Sequence, residues 1–169
     1  MSATTVIMTM RKEIRDRLLA DTGAGGLRNA GTPLIADDRR IFVENPVEPT
    51  QGNIFPYIVI AFDSSTRDDA FTVRQRLVTF EVHVFAEEMT SGTDTLKQHD
   101  DIVTRIEGDW DLQAGGTPTF GLEQFTPALS GTGWETGPLL NTSMTQIDDE
   151  AGIRHSVGTW EATISNVGV

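Results

Sequence analysis

The sequence predicts an α+β domain: a mostly antiparallel sheet with a long β-hairpin, and two helices packed on it. Three observations lead there. Two segments carry apolar residues at helical spacing, several carry them at every second position or in β-branched runs, and the strands follow one another without a helix between each pair. Strict alternation of strand and helix would instead mark a doubly wound parallel sheet. At 169 residues, the whole chain, 1–169, fits one domain that hides roughly 70% of its unfolded surface.

Residues 5–22 form the first expected helix. Ile7, Met10, Ile14 and Leu18 recur at spacings of three and four, Leu19 lies beside them, and Arg11, Lys12, Glu13, Arg15, Asp16 and Arg17 fill the polar side. Thr4 or Thr5 is expected to cap its start, and Gly23 to end it in a left-handed conformation. Residues 23–40 have no period and read as a connector. Gly23-Ala24-Gly25-Gly26 is not a phosphate loop, because it follows a helix instead of opening one and no Gly-Lys-Ser/Thr comes after it. Ile41-Phe42-Val43 is a short strand ended by Asn45-Pro46, and a proline-braced loop over 46–56 follows. Tyr57-Ile58-Val59-Ile60-Ala61-Phe62 is nearly all apolar, the pattern of a central strand covered on both faces.

The next strand changes parity. Val78, Phe80, Val82 and Val84 alternate with Thr79, Glu81 and His83, whereas Phe71, Val73 and Leu77 sit on the opposite parity. Such a change needs a bulge or a strand that leaves its own core. A long hairpin over about 57–86 follows, with its tip at Thr66-Arg67-Asp68-Asp69 projecting as a contact arm. Residues 93–107 make the second helix, with Leu96, His99, Val103 and Ile106 in a stripe, Ile102 and Trp110 beside it, and Gly108 as its stop. Residues 108–137 are loop-rich, with short strands expected near 120–126. Residues 139–148 and 153–164 form a last hairpin around Asp148-Asp149-Glu150-Ala151-Gly152.

The net charge is −12, and it is uneven: residues 1–40 hold seven basic and five acidic side chains, residues 41–169 six and twenty. Such a surface repels phosphate, which argues against sequence-driven nucleic-acid binding yet lets DNA pass close by without adhering. The lack of cysteine removes disulfides, thiolate chemistry and cysteine zinc sites. No apolar run approaches the ~18–20 residues of a membrane span. The opening Met1-Ser2-Ala3-Thr4-Thr5 leads into charged residues, so folding in the cytoplasm with no membrane partner is expected.

A search for chemistry finds no catalytic set. His83, His99 and His155 contain no i, i+4 pair, and no serine lies in a Gly-x-Ser-x-Gly elbow. The acidic runs Asp68-Asp69, Asp100-Asp101 and Asp148-Asp149-Glu150 lack the alternating spacing of a calcium loop. The expectation is no catalytic residue, no metal and no cofactor. A rival reading, a small metal-dependent hydrolase built on His99, Asp100 and Asp101, needs those neighbours to converge, and helical neighbours fan over most of a turn. A monomeric binding module is a third reading, and predicts a single small species in solution.

Several features recur in order: the amphipathic opening helix, Arg40-Ile41-Phe42, the loop from Pro46 through Gln51-Gly52-Asn53, and Phe55-Pro56-Tyr57-Ile58-Val59-Ile60. A long strand over 76–85, a helix through Ile102-Val103-Thr104-Arg105-Ile106 and the late Asp149-Glu150-Ala151-Gly152-Ile153-Arg154-His155 complete them. This layout, over residues 5–164, resembles the tail terminator (tail-completion) proteins of long-tailed bacteriophages. The Pro-Tyr-plus-apolar strand after a Pro/Gly loop is its most specific part, and the 108–137 segment is longer than the family leads one to expect.

The resemblance implies a non-enzymatic virion protein, assembled in the host cytoplasm as a homo-hexameric ring at the head-proximal end of the tail tube. Its partners would be its own copies, the tail tube protein and a head-side connector or stopper protein, with DNA passing through the lumen. Another neck ring, a stopper or head-completion protein, is the alternative within the class. On this reading Val47, Pro49, Ile54 and Phe55 lie at a subunit or tube interface, although Phe55 could equally plug its own core. Phe71 and Val73 would rest on a neighbouring subunit. Asp68, Asp69, Asp148, Asp149 and Glu150 are candidates for an acidic lumen wall.

Overall fold

Period-two burial builds a six-stranded sheet. The computed structural model describes residues 3–43, 55–67, 74–87, 94–108, 119–148 and 152–166. In chain order these form α1 (Ala3–Leu19), a 3-10 turn (Asp38–Arg40), β1 (Ile41–Val43), β2 (Tyr57–Arg67) and β3 (Gln75–Glu87). Then come α2 (Asp94–Glu107), β4 (Trp134–Thr136), β5 (Leu140–Asp148) and β6 (Ile153–Asn166). The strand order is β1-β2-β3-β6-β4, with β5 also paired to β6. β1 runs parallel to β2, and every other pairing is antiparallel. The α+β class with a mostly antiparallel sheet is the one the sequence predicts.

Both helices cover one face. From that face Ile58, Ile60, Val78, Phe80, Val82, Val84, Trp160, Ala162 and Ile164 pack with Val6, Met10, Ile14 and Leu18 of α1 and with Ile102 and Ile106 of α2. Each buried Val, Leu, Ile, Phe or Met side chain among them contributes about 1.5–3 kcal/mol relative to exposure. β3 itself carries no bulge: it keeps one register with β6 throughout, so Leu77 falls on the face opposite Val78, while Phe71 and Val73 lie outside the described residues. The bulge in this pair of strands is in β2, between Phe62 and Ser64. Leu77 is exposed while Val78 beside it is fully buried. Thr66 and Arg67 belong to β2, paired with Leu77 and Arg76, rather than to a tip; Asp68 and Asp69 lie outside the described residues. β3 stays paired with β6 from Gln75 to Glu87, which keeps the described part of the hairpin within the sheet.

Three expectations need correction. First, α1 starts at Ala3 and ends at Leu19, so Thr4 and Thr5 lie inside it and are not its caps. Second, Gly23 is not in the left-handed region; Gly25 is, at φ +69°. Two residues past the end of α1, Asp21 anchors the chain: its buried carboxylate accepts the Leu27 N–H at 3.0 Å and pairs with Arg105 of α2. Gly26 is there for space, since a Cβ would overlap the backbone and carboxylate of Asp21. Third, residues 120–126 form turns rather than strands. Gly121, at φ +76°, lies so close to the Gly108 backbone that a Cβ would overlap it, which leaves no room for an extended run. Gly108 ends α2 as expected, at φ +107°.

Candidate interaction surface

The face of the sheet opposite the helices carries the distinctive chemistry. Cross-strand register aligns Tyr57 of β2 with Phe85 of β3, then His155 of β6 and Ile147 of β5. The rings make a continuous row. Phe42 and Phe55 meet Tyr57 at 5.9 and 5.3 Å, Tyr57 stacks on Phe85 at 4.7 Å, and Phe85 stacks on His155 at 4.1 Å between centroids. Offset-stacked and edge-on pairs of this kind contribute about 0.5–1.5 kcal/mol each beyond burial. The row explains why Tyr57 and Val59 are buried on a face without a helix. Leu77, Leu140 and Ile147 belong to the same face and are exposed.

A polar chain crosses this row. His83 Nδ1 lies 2.9 Å from His155 Nε2, and His83 Nε2 lies 3.1 Å from Glu81 Oε2. The two histidines are 72 residues apart and sit diagonally on paired strands, so no spacing rule joins them in the sequence.

The charge of this face is one-sided. By register, Glu81, Glu87, Glu135 and Glu161 fall on it, while Arg67, Arg76 and Arg154 fall on the helix side. Among the described residues of the six strands, no Lys or Arg occupies an open-face position.

Of the residues singled out in the sequence, Phe55 is half-buried against Tyr57, and its carbonyl accepts a hydrogen bond from Arg40 Nη1 at 2.8 Å. It therefore belongs to the aromatic row and packs on its own chain. Asp148 ends β5, opposite Arg154. Val47, Pro49, Ile54, Asp68, Asp69, Phe71, Val73, Asp149 and Glu150 lie outside the described residues.

Arg40 is held by the 3-10 turn that Asp37 caps, where Asp37 Oδ1 accepts the Arg39 N–H at 2.9 Å. That bond holds the Asp37 carboxyl below the usual carboxylate range. The cap is complete above the ordinary value of about 3.9 and is lost as pH falls through the lowered one. An NMR titration should show the Arg39 amide unmoved until the pH is below about 3.9; movement at higher pH would contradict the cap.

The residues of the hydrolase reading do not converge. His99 is buried in the core with Nδ1 3.3 Å from Asp100 Oδ1, while the Asp100 side chain is 72% exposed. Among the described residues no group of three or more His, Cys, Asp or Glu is placed to hold a metal ion. An open groove of about 610 Å³ beside β4 is lined by Thr126, Pro127 and Trp134 among others, with Glu135 as its titratable residue. No helix among the described residues is long and apolar enough to cross a membrane.

No protein-family model matches the sequence, and no curated protein matches it. Among solved structures, a chain from the virion of a native gene transfer agent particle superposes over 96% of this chain and 99% of its own length. The TM-score is 0.56 and the identity 13%. The likeness is one of fold. It spans both chains nearly end to end, so it concerns the whole architecture, sheet and helices together, rather than one shared motif.

Proposed function

We propose that this chain is a structural subunit of a phage-type virion: a tail terminator, forming a ring that ends tail-tube growth and joins the tail to the head-side connector. The observation that carries the reading is the end-to-end likeness of fold to a chain of a gene transfer agent virion. The open sheet face supports it. Four glutamates with no described Lys or Arg give that face a field that repels phosphate, as a DNA-conducting wall requires. A head-to-tail ring of identical copies needs two dissimilar surfaces on each subunit, and a sheet covered by helices on one side only has them.

The test is electron microscopy of particles carrying a labelled copy, together with particles lacking the chain. Label at the head-proximal end of the tube, and tails of unregulated length without heads when the chain is missing, are expected. Normal joined necks without it would refute the proposal. Co-purification with the head-side adaptor rather than with tube protein would move the chain to another ring of the neck. The arm residues make a second prediction: Phe71→Ala with Val73→Ala should leave the subunit folded but reduce ring assembly in particles. Unchanged assembly would remove the arm from the interface.

A further inference from the structure

The geometry points to a two-histidine chelate for a first-row divalent ion on the open sheet face, formed by His83 Nδ1 and His155 Nε2. Four observations on the two rings lead to it. The two nitrogens are 2.9 Å apart and come from adjacent, fully paired strands, so their spacing is set by the ladder rather than by a loop. Glu81 Oε2 lies 3.1 Å from His83 Nε2. Accepting a hydrogen bond there places the proton on Nε2 and leaves a lone pair on Nδ1, the tautomer control that a carboxylate gives a metal-binding histidine. Both rings lie parallel to Phe85, His155 at 4.1 Å and His83 at 6.2 Å between centroids, which keeps them side by side on one face. Both are only partly buried, so an ion has access.

The separation selects among metals. Imidazole nitrogens sit about 2.0–2.1 Å from such an ion, so two of them 2.9 Å apart subtend roughly 90° at it. A tetrahedral zinc site would need a separation of about 3.3 Å at the same bond length. Ninety degrees is the angle between neighbouring positions of a square-planar or tetragonal field, which Cu²⁺ and Ni²⁺ prefer. With that separation kept, each ring turns about Cβ–Cγ so that its lone pair leaves the line between the two nitrogens and meets the other at the ion. The proton that now lies between the rings moves to the other nitrogen of His155, and no net proton is lost. No third described side chain completes the set, so water fills the remaining positions. The ion would clamp β3 to β6 across the middle of the sheet. This inference stands apart from the role in the virion, since it concerns the isolated subunit.

The test is titration of the untagged, full-length chain with CuSO₄, NiCl₂ and ZnCl₂ separately, followed by calorimetry, thermal unfolding and, for Cu²⁺, electron paramagnetic resonance. One Cu²⁺ per chain, nitrogen hyperfine structure from two imidazoles, a rise in melting temperature and tighter binding of Ni²⁺ than of Zn²⁺ are expected. His83→Ala and His155→Gln should each abolish the two-nitrogen spectrum while far-UV circular dichroism stays native. Glu81→Gln should keep the spectrum and weaken binding about tenfold. Failure of the folded wild-type chain to bind, or an unchanged spectrum in either folded histidine variant, would overturn the site. Zn²⁺ binding as tight as Ni²⁺ would overturn the angular assignment. Should one histidine variant not fold, the other decides alone.

Discussion

Asp21→Ala is expected to destabilise the chain by about 3–5 kcal/mol, because it leaves a charge buried without its partner. For a chain of this size that is a fall in melting temperature of roughly 6–20 °C. Asp21 does several things at once. It accepts the Leu27 N–H at 3.0 Å, receives Arg105 Nε at 2.9 Å, and pairs with Arg105 Nη2 through its other oxygen. Its side chain is 4% exposed and that of Arg105 16%. The same guanidinium lies 3.5 Å from the centre of the Phe120 ring, so it links the segment just past α1, the body of α2 and the turn that holds Phe120. Arg105→Lys should lose most of this, since an ammonium can neither fork onto the carboxylate nor lie flat on the ring. Asp21→Asn keeps an acceptor for Leu27 but no counter-charge for Arg105, and should fall between wild type and alanine. Urea unfolding of the set checks the order, and an alanine variant within about 1 kcal/mol of wild type would show that solvent reaches the pair freely.

The second large effect is expected at Trp160, the centre of the helix-covered face. The side chain is fully buried, so Trp160→Ala should cost about 3–5 kcal/mol through lost burial and the cavity left behind. Gly158 precedes it by two residues and shares its face. A Cβ at Gly158 would overlap the indole ring and press on Met144, so the ring lies across the space a side chain would fill. Gly158→Ala should therefore cost about 1–3 kcal/mol by overpacking. The two losses should not add: with the indole gone, the new methyl has room, and the double variant should be more stable than the sum predicts by about 0.5–3 kcal/mol. Strict additivity in equilibrium unfolding would mean that the two positions do not share this space.

What could be read from the sequence, and what could not, follows from the range of each interaction. Helices α1 and α2, the hairpin of β2 and β3 and the final hairpin are written in local periodicity: Ile7, Met10, Ile14 and Leu18, or Val78, Phe80, Val82 and Val84, show their face before any partner is known. The sequence places the end of α1 three residues late, and what holds the chain just beyond it is the Asp21–Arg105 pair, whose members are 84 residues apart. The expected strands near 120–126 failed for a similar reason, since the close approach of Gly121 and Gly108 is a contact between separate segments. The same limit hid the open face. The alternation of Thr79, Glu81 and His83 marks a second side of the strand, but only the cross-strand register places Tyr57, Phe85 and His155 in one row there. Phe55 reads as either an interface residue or a plug of its own core, and the sequence cannot name Tyr57, which it meets within the chain.

Placing both helices on one side of the sheet divides the labour of selection. Substitutions beneath the helices would register first as a lowered melting temperature, whatever the particle around the subunit demands. On the reading proposed above, those at exposed positions of the bare side, such as Leu77, Leu140 and Ile147, would leave the isolated chain intact and register first as a drop in the yield of finished particles, whereas those in the aromatic row would register in both. Screening a variant library by both measures should thus sort strand positions into alternating classes, odd against even along β3 and β6, with the assignment inverting in β2 at the bulge after Phe62.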